Sequence, residues 1–274
     1  MAVIEFTNSH GTTALQDTNF HTSNLDGVEQ FPAIVNTIRK YSNSPGSILE
    51  NQTIGTKLIK VAGRLQDSSS ANLESDINNL KKELFRDTEF DLKITRGSTV
   101  ITYPVILADS SFINRSEHHM ITYCDYSLEF ICLQGVGQGA SYVSDSDSFT
   151  GAGGSTPAAV SEPVFSGTFM ANLYWKITFT TNAADIDEIK VENDTTGYAQ
   201  IIEPPSGGFS NTETLEFDDV TQKLVYDPGT EEDYFYTGRP ITFGIGNQTI
   251  SLYVTYTGSA PTGTFQTKFL PKYS

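Results

Sequence analysis

Alternating apolar and polar residues run through both halves of the chain and predict β-strands as its main elements. In the first half the predicted strands are Lys57–Leu65, Phe90–Gly97, Val100–Leu107 and Ile121–Leu133. Pro104 falls inside the third of these and predicts an edge strand or a bulge, because proline cannot donate to a β-ladder. In the second half they are Asn172–Thr181, Glu188–Asn193, Thr214–Asp218, Lys223–Tyr226 and Thr249–Tyr256. Turn residues separate these short strands, which favours a β-sandwich or jelly roll over βαβ units.

One segment, Ser68–Asp87, has the period of an α-helix. Its apolar residues recur at spacings of four, three and four and so form one stripe: Leu73, Ile77, Leu80 and Leu84. The Ser and Asn residues ahead of the stripe supply N-cap oxygens. Such a helix either covers one face of its own sheet or docks against another subunit. The first interpretation is favoured, since surface helices normally turn their apolar stripe to their own core.

The composition changes at Gly135, and the next residues are rich in Gly, Ser and Asp. Nothing in this stretch predicts a core, so we expect a linker or a long exposed loop over 136–162. The predicted organisation is therefore a first domain over 1–135, the linker, and a second domain over 163–274. The length of 274 residues agrees with two domains.

The charge balance excludes several classes of partner. With 17 Lys+Arg against 33 Asp+Glu, the formal net charge is −16, which argues against gripping nucleic acid or an anionic membrane. The N-terminal residues contain neither a basic nor an apolar segment of a secretory signal, so synthesis in the cytoplasm is expected. Cys124 and Cys132 fall within one predicted strand, too far apart for a disulfide, and are expected to be buried thiols.

Candidate chemistry is sparse, and no catalytic, cofactor-binding or metal-binding residue is predicted. The four histidines, His10, His21, His118 and His119, form no zinc motif. Acidic clusters could offer oxygen ligands to calcium, although solvated loop residues are the favoured interpretation: Asp145/Asp147, Asp185–Glu188, Asp218–Asp219 and Glu231–Asp233. A glycosidase carboxylate pair stays open, since any two strands can supply one. Trp175 and Tyr234–Tyr236 could stack on a sugar, but burial is the favoured fate of a mid-strand Trp.

The order of elements resembles the distal tail protein (Dit) family of siphophages over nearly the whole chain. In the first half the similar segments are Val61–Leu65, the single helix, Leu84–Asp87, the strands Phe90–Arg96 and Val100–Leu107, and the strand that closes with Leu128–Cys132. In the second half they are Ile189–Asn193, Thr196–Gly197, Leu215–Asp218, Leu224–Gly229, Tyr236–Gly238, Pro240, Phe243–Asn247 and Thr249–Tyr256. The Gly/Ser-rich stretch after Gly135 is longer than the family's crossover between domains.

The resemblance implies a mainly β fold in two parts. The first is a tail-tube-like β-barrel or sandwich with one flanking α-helix, and the second is a galectin-like or jelly-roll β-sandwich. It further implies a structural virion protein, not an enzyme, that forms a hexameric ring at the distal end of a long phage tail. The implied partners are the tail tube, the hub, and a receptor-binding protein or host glycan. DNA would be only cargo passing through the lumen.

Three alternatives stay open at this point. A tail-tube subunit with a decoration domain would polymerise into long tubes instead of discrete rings. A host-glycan adhesin would expose Trp175 or Tyr234–Tyr236 as a sugar platform. A hydrolase acting on cell-wall or capsule polysaccharide ranks third, because no catalytic motif supports it.

Overall fold

A computed structural model describes residues 3–9, 11–40, 47–85, 89–114, 122–164, 166–218, 220–226 and 236–273. The chain divides into two compact units, one spanning Met1–Ala140 and taking in Tyr273–Ser274, the other spanning Ser141–Lys272. We call them the first and the second unit. The mainly β fold class is confirmed, with one α-helix among the described residues. None of the described helical segments is long and apolar enough to span a membrane.

The elements of the first unit are β1 (Val3–Asn8), β2 (Gly11–Ala14), β3 (Phe20–Asp26), β4 (Ile34–Lys40), β5 (Ser47–Ile54), β6 (Lys57–Gln66), α1 (Ser70–Leu84), β7 (Phe90–Arg96), β8 (Thr99–Leu107), β9 (Phe112–Asn114), β10 (Tyr123–Cys132) and β11 (Gly137–Gly139). Those that follow are β12 (Val143–Thr150), β13 (Ala159–Ser161), β14 (Ala171–Asn172), β15 (Tyr174–Thr181), a 3₁₀ turn (Ala183–Asp185), β16 (Ile186–Asn193), β17 (Tyr198–Ile202), β18 (Thr214–Phe217), β19 (Leu224–Tyr226), β20 (Thr237–Gly238), β21 (Thr242–Phe243), β22 (Ile250–Tyr256), β23 (Thr262–Phe269) and β24 (Lys272–Tyr273).

A ten-stranded sheet forms the body of the first unit. Its strand order is β2-β1-β7-β8-β10-β6-β3, and β9, β11 and β24 join it off this path. Helix α1 buries the four predicted stripe residues in the same core as the sheet: Leu73, Ile77, Leu80 and Leu84. Its N-cap is Ser69, whose Oγ accepts a hydrogen bond from the Asn72 N–H at 3.2 Å. The helix therefore covers its own sheet, which confirms the favoured interpretation.

The second unit is a β-sandwich of two five-stranded sheets. One has the order β12-β23-β15-β18-β19 and the other β13-β22-β16-β17-β20. Their inward residues form one core, in which the largest side chains are Trp175, Phe179, Phe209, Phe217, Phe243, Phe265 and Phe269. The expected sandwich is thus confirmed, as is the burial of Trp175.

The predicted linker over 136–162 is wrong. Three strands, β11, β12 and β13, form within it, and β12 pairs with β23 along its full length from Val143 to Thr150. The stretch reads as a linker because β12 is an edge strand of Ser and Asp residues, in which Phe149 is buried and most of the others are exposed. The side chains of β12 give little strand signal in the sequence, and it is the pairing with β23 that holds this segment as a strand.

The prediction that Pro104 marks an edge strand or a bulge is also wrong. Strand β8 is interior, with β7 on one side and both β10 and β11 on the other. On that second side, β11 pairs with residues 101–102 and β10 with residues 105–107. Pro104 therefore lies in the gap between two successive partners. Its missing N–H breaks no ladder there, so the sheet tolerates it.

A buried polar cluster sits under the first unit's sheet. Lys57 is only 3% exposed, and its Nζ donates to the Val28 carbonyl at 2.7 Å and lies 5.6 Å from the centre of the Tyr103 ring. Burial lowers the pKa of Lys57. Burial, and then the nearby Cys132, raises the pKa of Tyr103 to about 12. Within the described part of the chain, the buried Tyr103 hydroxyl has no hydrogen-bond partner.

We expect Tyr103→Phe to raise the free energy of unfolding by about 1 kcal/mol at neutral pH, because it removes a buried polar group that is not satisfied. In the native protein, Tyr103 stays protonated while its unfolded counterpart ionises near pH 10. The free energy of unfolding of the wild type therefore falls as the pH rises from about 10 towards 12. The variant has no hydroxyl at this position, so it does not show this part of the fall. Urea unfolding at pH 7.5 and pH 11 measures both effects.

The control is Tyr123→Phe, because the Tyr123 side chain is 43% exposed. A Tyr103→Phe protein less stable than wild type at neutral pH would contradict the prediction.

Candidate assembly surfaces

The residues singled out for metal chemistry do not form a metal site in the described part of the chain. No group of three or more His, Cys, Asp or Glu side chains is arranged to hold an ion there. His21 lies exposed on β3, whereas His10, His118, His119, Asp219 and Glu231–Asp233 fall outside the described residues. Cys124 and Cys132 are buried free thiols, as expected.

The described acidic clusters hold loops and strand ends in place. Asp145 accepts hydrogen bonds from the Ser161 hydroxyl at 3.1 Å and the Glu162 N–H at 2.9 Å. Asp185 accepts from the Ser259 N–H at 2.9 Å, and Asp187 from the Thr257 hydroxyl at 2.7 Å. Asp218 caps its own turn, and hydrogen bonds from the Thr221 backbone lower its pKa. The interpretation of these carboxylates as loop residues accounts for their contacts.

Trp175 is not a sugar platform. It is fully buried, its indole N–H donates to Gln200 Oε1 at 2.7 Å, and its ring stacks on Phe217 with centroids 6.0 Å apart. Tyr236 is half-buried and packs edge-on against Phe217 at 5.7 Å. Tyr234 lies outside the described residues. An exposed platform centred on Trp175 is therefore excluded.

Strands β4 and β5 pair with each other and with no other strand of the described chain; we call these two strands the arm. Near its base, Ile34 is 59% exposed, Val35 54% and Ile54 40%. Successive residues of a strand point to opposite faces, so the exposure of Ile34 and Val35 shows that both faces of the arm are uncovered here. An isolated two-stranded hairpin is marginally stable in water, and exposed apolar patches mark interaction sites.

The base of the arm is anchored tightly in the first unit. The Gly55 N–H donates to the Ala33 carbonyl at 2.6 Å and closes the hairpin. Gly135 has φ +69°, and a Cβ atom at this position would lie 2.2 Å from the Gly55 carbonyl oxygen and 2.7 Å from the Ile54 side chain. Position 135 thus requires glycine for two reasons: its backbone is left-handed, and the Gly55 carbonyl oxygen approaches it too closely for a Cβ atom.

The face of the sheet opposite the core combines ion pairs with an apolar row. Lys60 pairs with Glu129 and Arg64 with Asp125, each at 3.0 Å. These pairs are partly exposed, and pairs of this kind contribute little stability. Register places three further side chains side by side across β6, β10 and β8, and we call them the apolar row: Leu58, Ile131 and Ile106. Leu58 is 50% exposed.

A groove of about 570 Å³ lies at the Ile106 end of the apolar row, between the end of α1 and the turn that leaves β8. It is lined by Leu84, Phe85, Ile106, Leu107, Ala108, Asp109 and Ser111. Phe85, just past the end of α1, is 78% exposed. None of the described lining residues belongs to the arm. The first unit therefore carries an uncovered apolar projection and, elsewhere on its surface, an uncovered apolar groove.

These features define a class of protein: a two-unit β protein whose first unit pairs a helix-covered sheet with an arm, and whose second unit is a β-sandwich. No protein-family model and no curated protein sequence matches the chain. Among solved structures, the chain is similar to the Dit protein of phage SPP1, with a TM-score of 0.68 and 16% identity over 100% of both chains. That protein is described as a paradigm of the hub adsorption apparatus in phages that infect Gram-positive bacteria. The chain thus has the Dit fold.

Two further solved structures show a weaker likeness. The baseplate of phage P2, in its activated conformation with calcium, gives a TM-score of 0.43 and 10% identity over 99% of this chain and 98% of that one. The same baseplate with strontium gives 0.43 and 10%, over 97% and 98%.

Proposed function

We propose that this protein is a structural component of the tail tip of a long-tailed phage. In this proposal it forms a hexameric ring that joins the tail tube to the hub and the host-adhesion apparatus. The observation that carries the proposal is the likeness to SPP1 Dit, which extends over the full length of both chains and so includes both units. In the virion, the proposed neighbours are the tail tube protein on one side and hub proteins on the other.

The arm supports an assembly of identical copies. A ring uses one heterologous contact repeated by rotation, in which a projection on each copy meets a different surface of the next. The arm is such a projection, with apolar residues uncovered near its base. The net charge of −16 suits a conduit, because an acidic protein repels passing DNA instead of gripping it.

The native mass of the purified chain tests the proposal. We expect discrete rings near six times the chain mass of 30.0 kDa, visible as closed particles by negative-stain microscopy. The double variant Ile34→Ser/Val35→Ser should shift the population towards monomer, since it removes two of the three exposed apolar side chains described at the base of the arm. Val164→Ser is the matched control, because Val164 is 72% exposed but lies in the second unit.

Other outcomes separate the alternatives. Open-ended tubes of indefinite length would favour a tail-tube subunit with a decoration domain. A protein that stays monomeric at every concentration, both alone and with purified tail tubes, would contradict the ring. Rings that survive the arm variant unchanged would show that a different surface closes the ring, and the role given to the arm would then be wrong.

A further inference from the structure

We propose that a depression on the face of the first unit's sheet opposite the core binds an uncharged sugar. The inference goes beyond the proposed hexameric ring and does not depend on it. The depression has a volume of about 570 Å³ and is lined by residues of β3, β6, β9 and β10. Sites for small ligands occupy roughly 300–1,000 Å³, so a ligand of this size can enter it.

The floor of the depression is made of small side chains. Ser127 on β10 is in register with Ala62 on β6, so these two side chains lie next to each other on the same face. Along β10, Ser127 alternates with Tyr126 and Leu128, which belong to the core. Its hydroxyl group therefore points away from the core and into the depression. The small floor leaves room for a ligand between larger neighbours.

The Ser127 hydroxyl is the observation that indicates a ligand. Ser127 is only 4% exposed, it lines the depression, and within the described chain its Oγ atom has no hydrogen-bond partner. A buried polar group without a partner is costly, and a ligand that supplies the missing hydrogen bond removes this cost. Because a serine hydroxyl both donates and accepts, a hydroxyl group on the ligand uses its full capacity.

Two ion pairs border the floor and balance its charge. Lys60 pairs with Glu129 and Arg64 with Asp125, each at 3.0 Å. Each cation thus already has a carboxylate, and a charged ligand would have to compete with it. An uncharged ligand avoids this competition and can use the remaining donors and acceptors. The bond to Asp125 uses Arg64 Nε, for example, so the terminal N–H groups of Arg64 can donate to a ligand.

An exposed aromatic side chain forms one wall of the depression. Phe112 on β9 is in register with Ser127, so it stands beside the floor, and it is 55% exposed. On the opposite side, His21 and Ser23 of β3 add polar groups. A sugar carries hydroxyl groups around its edge and C–H groups on its faces, and the C–H groups can pack against an aromatic ring. The depression offers partners for both.

Saturation-transfer difference NMR on the full chain tests the proposal, because this method detects weak binding to large assemblies. The probes are the methyl glycosides of glucose, galactose and N-acetylglucosamine. We expect at least one of them to bind with a dissociation constant of about 1 mM, which suits a ligand of roughly 15 non-hydrogen atoms. Because the probes are uncharged, added salt should leave their binding nearly unchanged.

Two variants locate the site. Ser127→Ala should weaken binding about tenfold without lowering the midpoint of urea unfolding, because the lost hydroxyl has no partner within the described chain. Phe112→Ala should weaken binding about fivefold to tenfold by removing the aromatic wall. The matched controls are Ser146→Ala, at an exposed serine on β12, and Phe85→Ala, at a mostly exposed Phe. Neither control residue lines the depression, and both variants should bind as the wild type does.

The possible failures are distinguishable. Sugar binding that Ser127→Ala and Phe112→Ala leave unchanged would place the sugar elsewhere and overturn the proposal. Binding of acetate or inorganic phosphate, without any sugar, would show an anion site instead. No sugar binding, together with fewer hexameric rings for Ser127→Ala, would assign this face to a neighbouring protein. No sugar binding of any kind would also overturn the proposal, and native mass tests the hexameric ring separately.

Discussion

Trp175→Ala is expected to destabilise the second unit by about 3–5 kcal/mol, enough to unfold a domain of ordinary stability. Trp175 is the largest fully buried side chain and lies on the central strand β15, between the two sheets. The truncation leaves a cavity against Phe217 that the surrounding β-sheets cannot collapse to fill. It also removes the donor to the buried Gln200 carbonyl oxygen.

Trp175→Phe separates the two contributions. It keeps an aromatic ring in the core but leaves the Gln200 amide without its partner, and Gln200 Nε2 already has none in the described structure. We expect a loss of about 1–3 kcal/mol from this orphaned group. The double variant Trp175→Phe/Gln200→Leu should recover part of that loss, because replacing both partners by apolar groups removes the unsatisfied atoms.

Urea unfolding followed by far-UV circular dichroism measures these variants. In the wild type, the emission of Trp175 reports on the second unit alone, since the chain has a single Trp. Val220→Ala is the control, because Val220 is 77% exposed and should change stability by less than about 0.5 kcal/mol. A Trp175→Ala protein within about 1 kcal/mol of wild type would show that the core does not pack around the indole as described.

The helix and the long strands could be predicted because their signal is local. The stripe of α1 and the alternation in β6, β7 and β10 follow from residues a few positions apart, and each of these elements turns the predicted side chains to the core. Burial of Trp175 follows from the same argument. These are positions where local preference and tertiary packing agree.

Strand β23 is an interior strand of its sheet and yet does not stand out in the sequence. Its inward positions alternate Gly263, Phe265, Thr267 and Phe269, so a glycine and a hydroxyl occupy two of the four core sites. The Thr267 hydroxyl is hydrogen-bonded across the core to the Ser161 hydroxyl at 2.5 Å. At Gly263, a side chain would overlap the Thr178 carbonyl oxygen, so only glycine fits. The partners that justify these residues are about 85 or more positions away. The recurring Phe at spacing four is the signal that could have revealed the strand.

The assembly surfaces could not be predicted from one sequence for a related reason. The pattern of Ile34, Val35 and Ile54 is that of any buried strand, and only the absence of a covering element makes them exposed. The groove likewise joins residues 84–85 to residues 106–111, which are neighbours only after folding. Apolar periodicity predicts what will be buried, but it does not say whether the cover comes from the same chain.

Gly135→Ala is expected to destabilise the first unit far more than Gly97→Ala, although the two glycines have similar backbone angles of φ +69° and φ +62°. A left-handed backbone costs a residue with a Cβ about 1 kcal/mol. At Gly97 that is the whole expected effect, since nothing lies within 4 Å of the added atom. At Gly135 the added Cβ would lie 2.2 Å from the Gly55 carbonyl oxygen, and relieving this overlap costs about 1–3 kcal/mol more.

The crowded contact lies at the base of the arm, so Gly135→Ala should also weaken assembly. Gly55 and Ile54 must move away from Gly135, and a small displacement at the base grows along the length of a hairpin. Urea unfolding followed by circular dichroism gives the stability difference, and native mass gives the fraction in rings. Equal destabilisation by the two variants would contradict the close approach at Gly135. Unequal destabilisation with intact rings would show that the base of the arm serves the fold of the first unit but does not aim the arm at its neighbour.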